Sequence, residues 1–209
     1  MTPARLLLAD VHGIILEGFR SVLEPSHLVV GMVADGRALV DLALRLKPDL
    51  IILDITMPLL NGIDAAREIR KHLPDVKLLF VTMHANPTYL RAALDAGATG
   101  YVLKSSAREE ILAAVEKVLK GKFFVTRGVG PSGLGERADP ARAAASLKLS
   151  PREREILQLV AEGKSAKEVA YLLSISSKTV AYHKENIKSK LGLRTTAELT
   201  KHALDEGLI

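Results

Sequence analysis

The first 125 residues alternate short apolar runs with amphipathic segments. The apolar runs, which are typical of buried strands, cover residues 6–9, 29–33, 50–53, 78–81 and 100–103. The segments with helical periodicity cover residues 14–23, 37–46, 63–73, 89–96 and 108–119. Strands that alternate with helices in this way predict a parallel sheet with helices on both faces.

This order of elements indicates the doubly wound α/β class, in which a flavodoxin-like (βα)5 domain has strand order 2-1-3-4-5. An α/β domain of another topology is the alternative. After residue 125 the composition shifts to Gly, Ala, Pro and Arg, which predicts a linker over residues 126–148 with one helical turn near residues 140–145.

From residue 149 the pattern is purely helical. Capping boxes at Ser150, Ser165 and Thr195 predict three helix starts, and a further helix should begin near Ser176 and end before Gly192. Two short helices joined tightly, the later one basic, predict a helix-turn-helix. We therefore expect an α/β domain at residues 1–125, a linker at 126–148 and a small four-helix, all-α domain at 149–209.

Composition narrows the classes of protein. The 209 residues are 48% hydrophobic and include no cysteine, which excludes disulfides and thiolate metal sites. No stretch approaches the roughly 20 apolar residues of a membrane span, so we expect a soluble, cytoplasmic protein. The net charge is +5, and residues 177–194 hold five cations and one anion. A local excess on one predicted helix is a better sign of nucleic-acid binding than the global charge.

Polar side chains follow the predicted strands at one end. Asp10 follows the first strand, Asp54 the third and Lys104 the fifth, and Thr82 ends the fourth. The carboxyl ends of parallel strands converge on one edge of the sheet, where such folds place their ligands. Taken singly, these residues could be loop caps or solvated charges. Four at matching strand ends favour a site.

The residue types in this group suit phosphoryl transfer to a carboxylate. Asp54 would be the nucleophile, Lys104 a fixed cation and Thr82 a hydroxyl donor. Asp10 and Asp54, with a backbone carbonyl near Thr56, could hold Mg²⁺ through oxygen ligands and water. His12 and His84 lie in nearby loops without metal-ligand spacing, and we interpret both as solvated.

Residues 5–122 resemble the receiver domain of bacterial response regulators, through MPLLNG, LLFVTMHAN and DAGATGYVLKSS. The resemblance implies that Asp54 is the phosphoacceptor, served by a sensor histidine kinase, and that Lys104 is the family's invariant lysine. It also implies a switch in which the Thr82 hydroxyl moves inward on phosphorylation and Tyr101 follows into the vacated space. Beyond self-catalysed phosphotransfer, no enzymatic activity is expected.

One departure concerns the metal. The family has two consecutive acidic residues after the first strand, whereas this chain has Asp10-Val11. The alternative is therefore a pseudo-receiver that works without phosphorylation. An Asp-nucleophile phosphatase would need a general acid two residues beyond Asp54, where Thr56 stands.

The basic helix has one apolar face, with Val180, Ile187 and Leu191. Its other faces suit a major groove, with base contacts expected for some residues and phosphate contacts for others. The candidate DNA-binding residues are Lys178, Thr179, Tyr182, Lys184, Glu185 and Lys188. Lys190 and Arg194 are further candidates for phosphate contacts.

The segment from LSPREREIL to TTAEL resembles the LuxR-type output domain. Together the two resemblances indicate a NarL/FixJ-type response regulator, which implies binding to double-stranded DNA as a homodimer. Ala181 stands where the family commonly has Lys, so the operator cannot be borrowed from a relative.

Overall fold

The computed structural model describes residues 3–126, 129 and 149–209. The chain divides into two compact units, one built mainly from N-terminal and one mainly from C-terminal residues. Within these ranges the N-terminal unit has six strands, β1 Arg5–Ala9, β2 Leu28–Val33, β3 Leu50–Leu53, β4 Lys77–Thr82, β5 Gly100–Leu103 and β6 Phe124–Val125. Its helices are α1 Gly13–Leu23, α2 Gly36–Leu46, α3 Gly62–His72, α4 Pro87–Asp95 and α5 Arg108–Leu119.

All strands are parallel and their order is β2-β1-β3-β4-β5-β6. The predicted α/β class and the order of the first five strands are confirmed. The strand β6 was not predicted, because two residues are too few to show a strand pattern. All four residues of β3 are buried, as expected for a central strand of a parallel sheet.

One face of the sheet packs against α1 and α5. The core there includes Leu8 of β1, Ile52 of β3 and Val102 of β5, together with Leu16 and Val115 of these helices. Such packing fixes the strands rigidly against one another. The loops at their carboxyl ends, which carry the candidate site, therefore start from fixed positions.

In the residues that the structure describes, the C-terminal unit contains the helices α6 Pro151–Ala161, α7 Ala166–Leu172, α8 Ser177–Leu191 and α9 Thr196–Asp205. Ser150, Ser165 and Thr195 each form the predicted capping box. The helix α8 begins after its cap Ser176 and ends before Gly192, whose φ of 70° is the left-handed conformation that glycine favours at a helix end. The predicted order of four helices is therefore confirmed.

Two predictions lie wholly or mostly outside the described residues, namely the helical turn at 140–145 and the linker at 126–148. The exact domain boundaries remain predictions. Within the described ranges, no helix is long and apolar enough to cross a membrane.

Candidate functional site

The carboxyl edge of the sheet brings three of the predicted residues into direct contact. Asp10 and Asp54 directly follow the paired strand ends Ala9 and Leu53, and they are only 2% and 5% exposed. The Lys104 Nζ lies 2.6 Å from Asp10 Oδ2 and 2.7 Å from Asp54 Oδ2. One cation thus serves two buried carboxylates, and the group keeps a net charge of −1.

The remaining carboxylate oxygens are also hydrogen-bonded. Asp54 Oδ1 accepts from the backbone N–H of Ile55 at 2.6 Å. Asp10 Oδ1 accepts from the backbone N–H of His12 at 2.9 Å and lies 3.0 Å from the His12 Nδ1. Both carboxylates are therefore held in fixed orientations before any ligand arrives.

Gly62, the first residue of α3, allows the chain to pass against the loop that follows β3. A Cβ atom at this position would lie 1.9 Å from the backbone oxygen of Asp54. The Gly62 N–H also donates to the Ile55 carbonyl at 2.7 Å, and Asn61 caps the helix by accepting from the Asp64 N–H. The Asn61-Gly62 pair therefore combines a helix cap with a close backbone approach.

Thr82 and Tyr101 are fully buried, at 0% exposure. The Thr82 carbonyl accepts from the Lys104 N–H at 2.8 Å, which links the ends of β4 and β5. The Tyr101 hydroxyl donates to the carbonyl of His84 at 2.7 Å. Burial raises the pKa of the Tyr101 phenol, which therefore stays protonated and remains a donor.

The expectation of a solvated His84 is wrong. Its side chain is half-buried because its ring lies against Tyr89 of α4, with centroids 4.2 Å apart, and its Nε2 lies 2.9 Å from the Thr56 hydroxyl. Burial is the main cause that lowers the pKa of His84, which favours the neutral ring at pH 7. His12 is 61% exposed, but its ring contacts Asp10.

A divalent cation at this edge would find two carboxylate ligands and no third one. Asp10 and Asp54 supply two carboxylates, whereas Val11, which is 41% exposed, supplies none. Among the residues that the structure describes, no group of three or more acidic, His or Cys side chains is arranged to hold a metal. Mg²⁺ commonly takes one or two carboxylates and keeps several waters, so this pair fits it.

The helix α8 presents the face that was predicted to meet DNA. Val180 and Ile187 are 1% exposed and pack inward, and Leu191 is half-buried. Tyr182 is 65% exposed. Of the other candidates for DNA contacts, Lys178 and Glu185 are exposed, and Thr179, Lys184 and Lys188 are half-buried.

Two cations of α8 already have partners. The Lys188 Nζ lies 2.9 Å from Glu185 Oε1, an i,i+3 pair that the sequence spacing allows. The Lys190 Nζ lies 2.8 Å from Oε2 of Glu153, a carboxylate that is 5% exposed and belongs to the capping box of α6. Lys190 thus fixes α8 to α6, a role that sequence reasoning missed.

Glu153 ionises readily at this position. Burial opposes its ionisation, but the hydrogen bonds from Lys190 and Ser150 together outweigh burial and lower the pKa of Glu153. The charged form therefore stabilises the folded state above the ordinary pKa of a glutamate, and this stabilisation is lost as the pH falls through the lowered value.

Comparison with known proteins assigns a family to each of the two units. Residues 6–116 match the response regulator receiver domain, and residues 147–203 match the bacterial regulatory proteins of the luxR family. The chain is 38% identical over 207 residues to the transcriptional regulatory protein MctR of Rhizobium johnstonii, covering 98% of this chain and 95% of that protein. It is 36% identical over 214 residues to the oxygen regulatory protein NreC of Staphylococcus aureus, covering 98% and 99%.

Solved structures give the same result. The RcsB response regulator of Salmonella typhimurium matches with a TM-score of 0.66 and 32% identity over 98% of each chain. A structure of two RcsB dimers bound to two DNAs matches with a TM-score of 0.60 and 31% identity, covering 97% of this chain and 98% of that one. The chain belongs to the response regulators with a LuxR-family output domain, and it is a DNA-binding protein of a two-component system.

The close approach at Gly62 predicts a large effect for Gly62→Ala. The added Cβ would collide with backbone at Asp54, and we expect the free energy of unfolding to fall by roughly 2–4 kcal/mol, measured by urea denaturation. Gly18→Ala in α1 is the matched control, because nothing lies within 4 Å of its Cβ and Ala favours a helix by roughly 0.5–1 kcal/mol. A Gly62→Ala protein as stable as the Gly18→Ala protein would contradict the contact.

The two kinds of cation on α8 should differ in their effects. Lys190→Met should lower the free energy of unfolding by about 1 kcal/mol near pH 7, since it leaves the buried carboxylate of Glu153 without its cation. The difference should disappear in acid as Glu153 is protonated. Lys178→Met should leave stability unchanged and reduce the slope of log affinity for DNA against log salt by about 1. If Lys190→Met changed only the salt dependence of DNA binding and Lys178→Met only the stability, the roles inferred from the ion pairs would be contradicted.

Proposed function

We propose that this protein is a transcription regulator whose DNA binding is controlled by phosphoryl transfer from a sensor histidine kinase to Asp54. The observation that supports the proposal most directly is the contact of Lys104 with both Asp54 and Asp10 at a buried strand edge. An acceptor carboxylate next to a fixed cation and a buried hydroxyl is the arrangement that phosphoryl transfer needs.

The transfer step adds charge to this edge. An Asp54 oxygen attacks phosphorus, and the bond from phosphorus to the donor breaks with its electron pair leaving on the donor, a kinase histidine or a small acyl phosphate. The single charge of the carboxylate becomes a dianionic phosphoryl group. Lys104 then neutralises part of that charge, and the Thr82 hydroxyl turns to donate a hydrogen bond to it.

Asp10, Asp54 and the backbone carbonyl of Thr56 would hold Mg²⁺ when it binds. The ion would neutralise charge on the phosphoryl oxygens during transfer. Both oxygens of Asp10 already accept hydrogen bonds, from Lys104 and from His12, so the ion would share this carboxylate with them.

A specific observation favours the alternative of a pseudo-receiver. Val11 takes the place of an acidic ligand, and Asp10 is already satisfied by Lys104 and by the His12 backbone. Because these contacts balance the charge of Asp10, this edge of the sheet would keep its structure without a metal. In that case a protein or a small ligand would set the state of the regulator.

The output of either mechanism is the binding of a homodimer to double-stranded DNA through α8. The exposed Lys178, Tyr182 and Glu185 would meet base edges. Lys184 and Lys188 would contact phosphates, and Thr179 would flank the face that reads the bases. The structure of RcsB dimers on DNA supports a dimer here.

Incubation with acetyl phosphate and Mg²⁺, followed by intact-mass measurement, tests the proposal. We expect wild-type protein to gain the mass of one phosphoryl group and the Asp54→Ala variant to gain none. An unchanged wild-type mass at saturating Mg²⁺ would favour the pseudo-receiver.

The Val11→Asp variant is the second arm of this experiment. A third carboxylate should lower the Mg²⁺ concentration for half-maximal phosphorylation by about tenfold, equivalent to roughly 1.4 kcal/mol of binding. Leu28→Asp is the matched control, because Leu28 is 49% exposed and starts β2, so the substitution adds the same charge at the amino end of the sheet, opposite to the site. Equal effects of the two substitutions would mean that only general charge matters.

A further inference from the structure

His84 contacts side chains from four parts of the N-terminal unit. Its Nε2 is hydrogen-bonded to the Thr56 hydroxyl at 2.9 Å, and its carbonyl accepts from the Tyr101 hydroxyl at 2.7 Å. Its ring lies against Tyr89 of α4, and its backbone N–H lies 3.4 Å from the Thr82 hydroxyl oxygen. These contacts join the loop that carries the acceptor to β4, β5 and α4.

We propose that His84 is a positioning residue for phosphoryl transfer, which fixes the Thr56 hydroxyl beside the acceptor and ties its orientation to α4 and Tyr101. The proposal rests on the proposed function of Asp54 and goes beyond it, because it assigns a role to two side chains, those of Thr56 and His84. Thr56 follows Asp54 by two residues, so its hydroxyl belongs to the loop that holds the acceptor.

The hydrogen bond between these side chains can run in two directions. A neutral imidazole carries one N–H, on either Nδ1 or Nε2. If Nε2 carries the hydrogen, the ring donates to Thr56, and the hydroxyl hydrogen is free to donate to a phosphoryl oxygen. If Nδ1 carries it, the hydroxyl must donate to the ring. A phosphoryl group on Asp54, which is an acceptor only, selects the first arrangement.

The ring contact with Tyr89 makes this arrangement more than a local detail. The ring cannot turn away from Thr56 without moving against Tyr89, and the His84 backbone cannot move without losing the Tyr101 hydroxyl. Since buried donors and acceptors are costly to leave unpaired, these contacts change together. The hydrogen bond between His84 and the Thr56 hydroxyl is thereby tied to side chains on α4 and β5.

Paired substitutions in the full-length protein test this assignment. Thr56→Val and His84→Phe each remove the hydrogen bond, and His84→Phe keeps a ring against Tyr89. Each should slow phosphorylation by acetyl phosphate about fivefold, the effect of roughly one hydrogen bond, and the double variant should be no slower than either single one. His84→Gln places an amide near the position of Nε2 and should restore most of the rate.

The matched control is His72→Phe, the same change at an exposed histidine of α3. It should leave the rate unchanged. Wild-type rates in His84→Phe, multiplying effects in the double variant, or no recovery in His84→Gln would each overturn the proposal.

Ring nitrogen-15 NMR separates this proposal from the proposed function. Thr56→Val should shift the His84 ring resonances in unphosphorylated protein and leave those of His72 unchanged. If wild-type protein accepts no phosphoryl group but the shift is seen, the proposed function fails, and the role of His84 in transfer is overturned with it although its hydrogen bond to Thr56 is present. If no shift is seen, the inference is overturned whether or not Asp54 is phosphorylated.

Discussion

The carboxyl edge of the sheet depends on one interaction, the contact of the Lys104 ammonium with the carboxylates of Asp10 and Asp54. Two carboxylates buried at 2% and 5% exposure repel each other and lose hydration, and only a cation within direct reach makes both charges stable there. The sheet order makes this possible, because β1 and β3 pair in register and end together. Lys104 follows β5, beyond β4, and only a long side chain could reach across that strand to the carboxylates.

This geometry explains how much of the site the sequence could predict. The apolar runs locate the strand ends to within two residues, and the rule that parallel strands end at one edge then brings Asp10, Asp54, Thr82 and Lys104 together. The role of His84 could not be predicted in this way. It contacts Thr56, which is 28 residues away in another loop, and loops have no periodicity from which a contact could be inferred. The strand β6 was missed for a similar reason.

The helix α8 shows the same division between pattern and contact. Helical periodicity correctly predicted that Val180 and Ile187 face inward, because burial follows directly from period. It could not show which cations remain available. The pairing of Lys188 with Glu185 is visible at i,i+3 spacing, whereas the pairing of Lys190 with Glu153 spans 37 residues and depends on how α8 packs on α6. The number of basic residues in α8 therefore overstates the number of cations that are available to contact phosphates.

The position of Tyr101 constrains how the carboxyl edge of the sheet could act as a switch. The expected sequence of events has Tyr101 move into space vacated by Thr82, but its ring is already buried and its hydroxyl already donates to His84. Moving an aromatic ring of this kind into water costs roughly 2–3 kcal/mol, to which the lost hydrogen bond adds about 1 kcal/mol. A phosphoryl group that stabilises the buried arrangement would therefore reinforce a position that Tyr101 already has in the unphosphorylated structure. Control by phosphorylation then requires that a further factor, such as a bound partner protein, holds Tyr101 outward in the resting state.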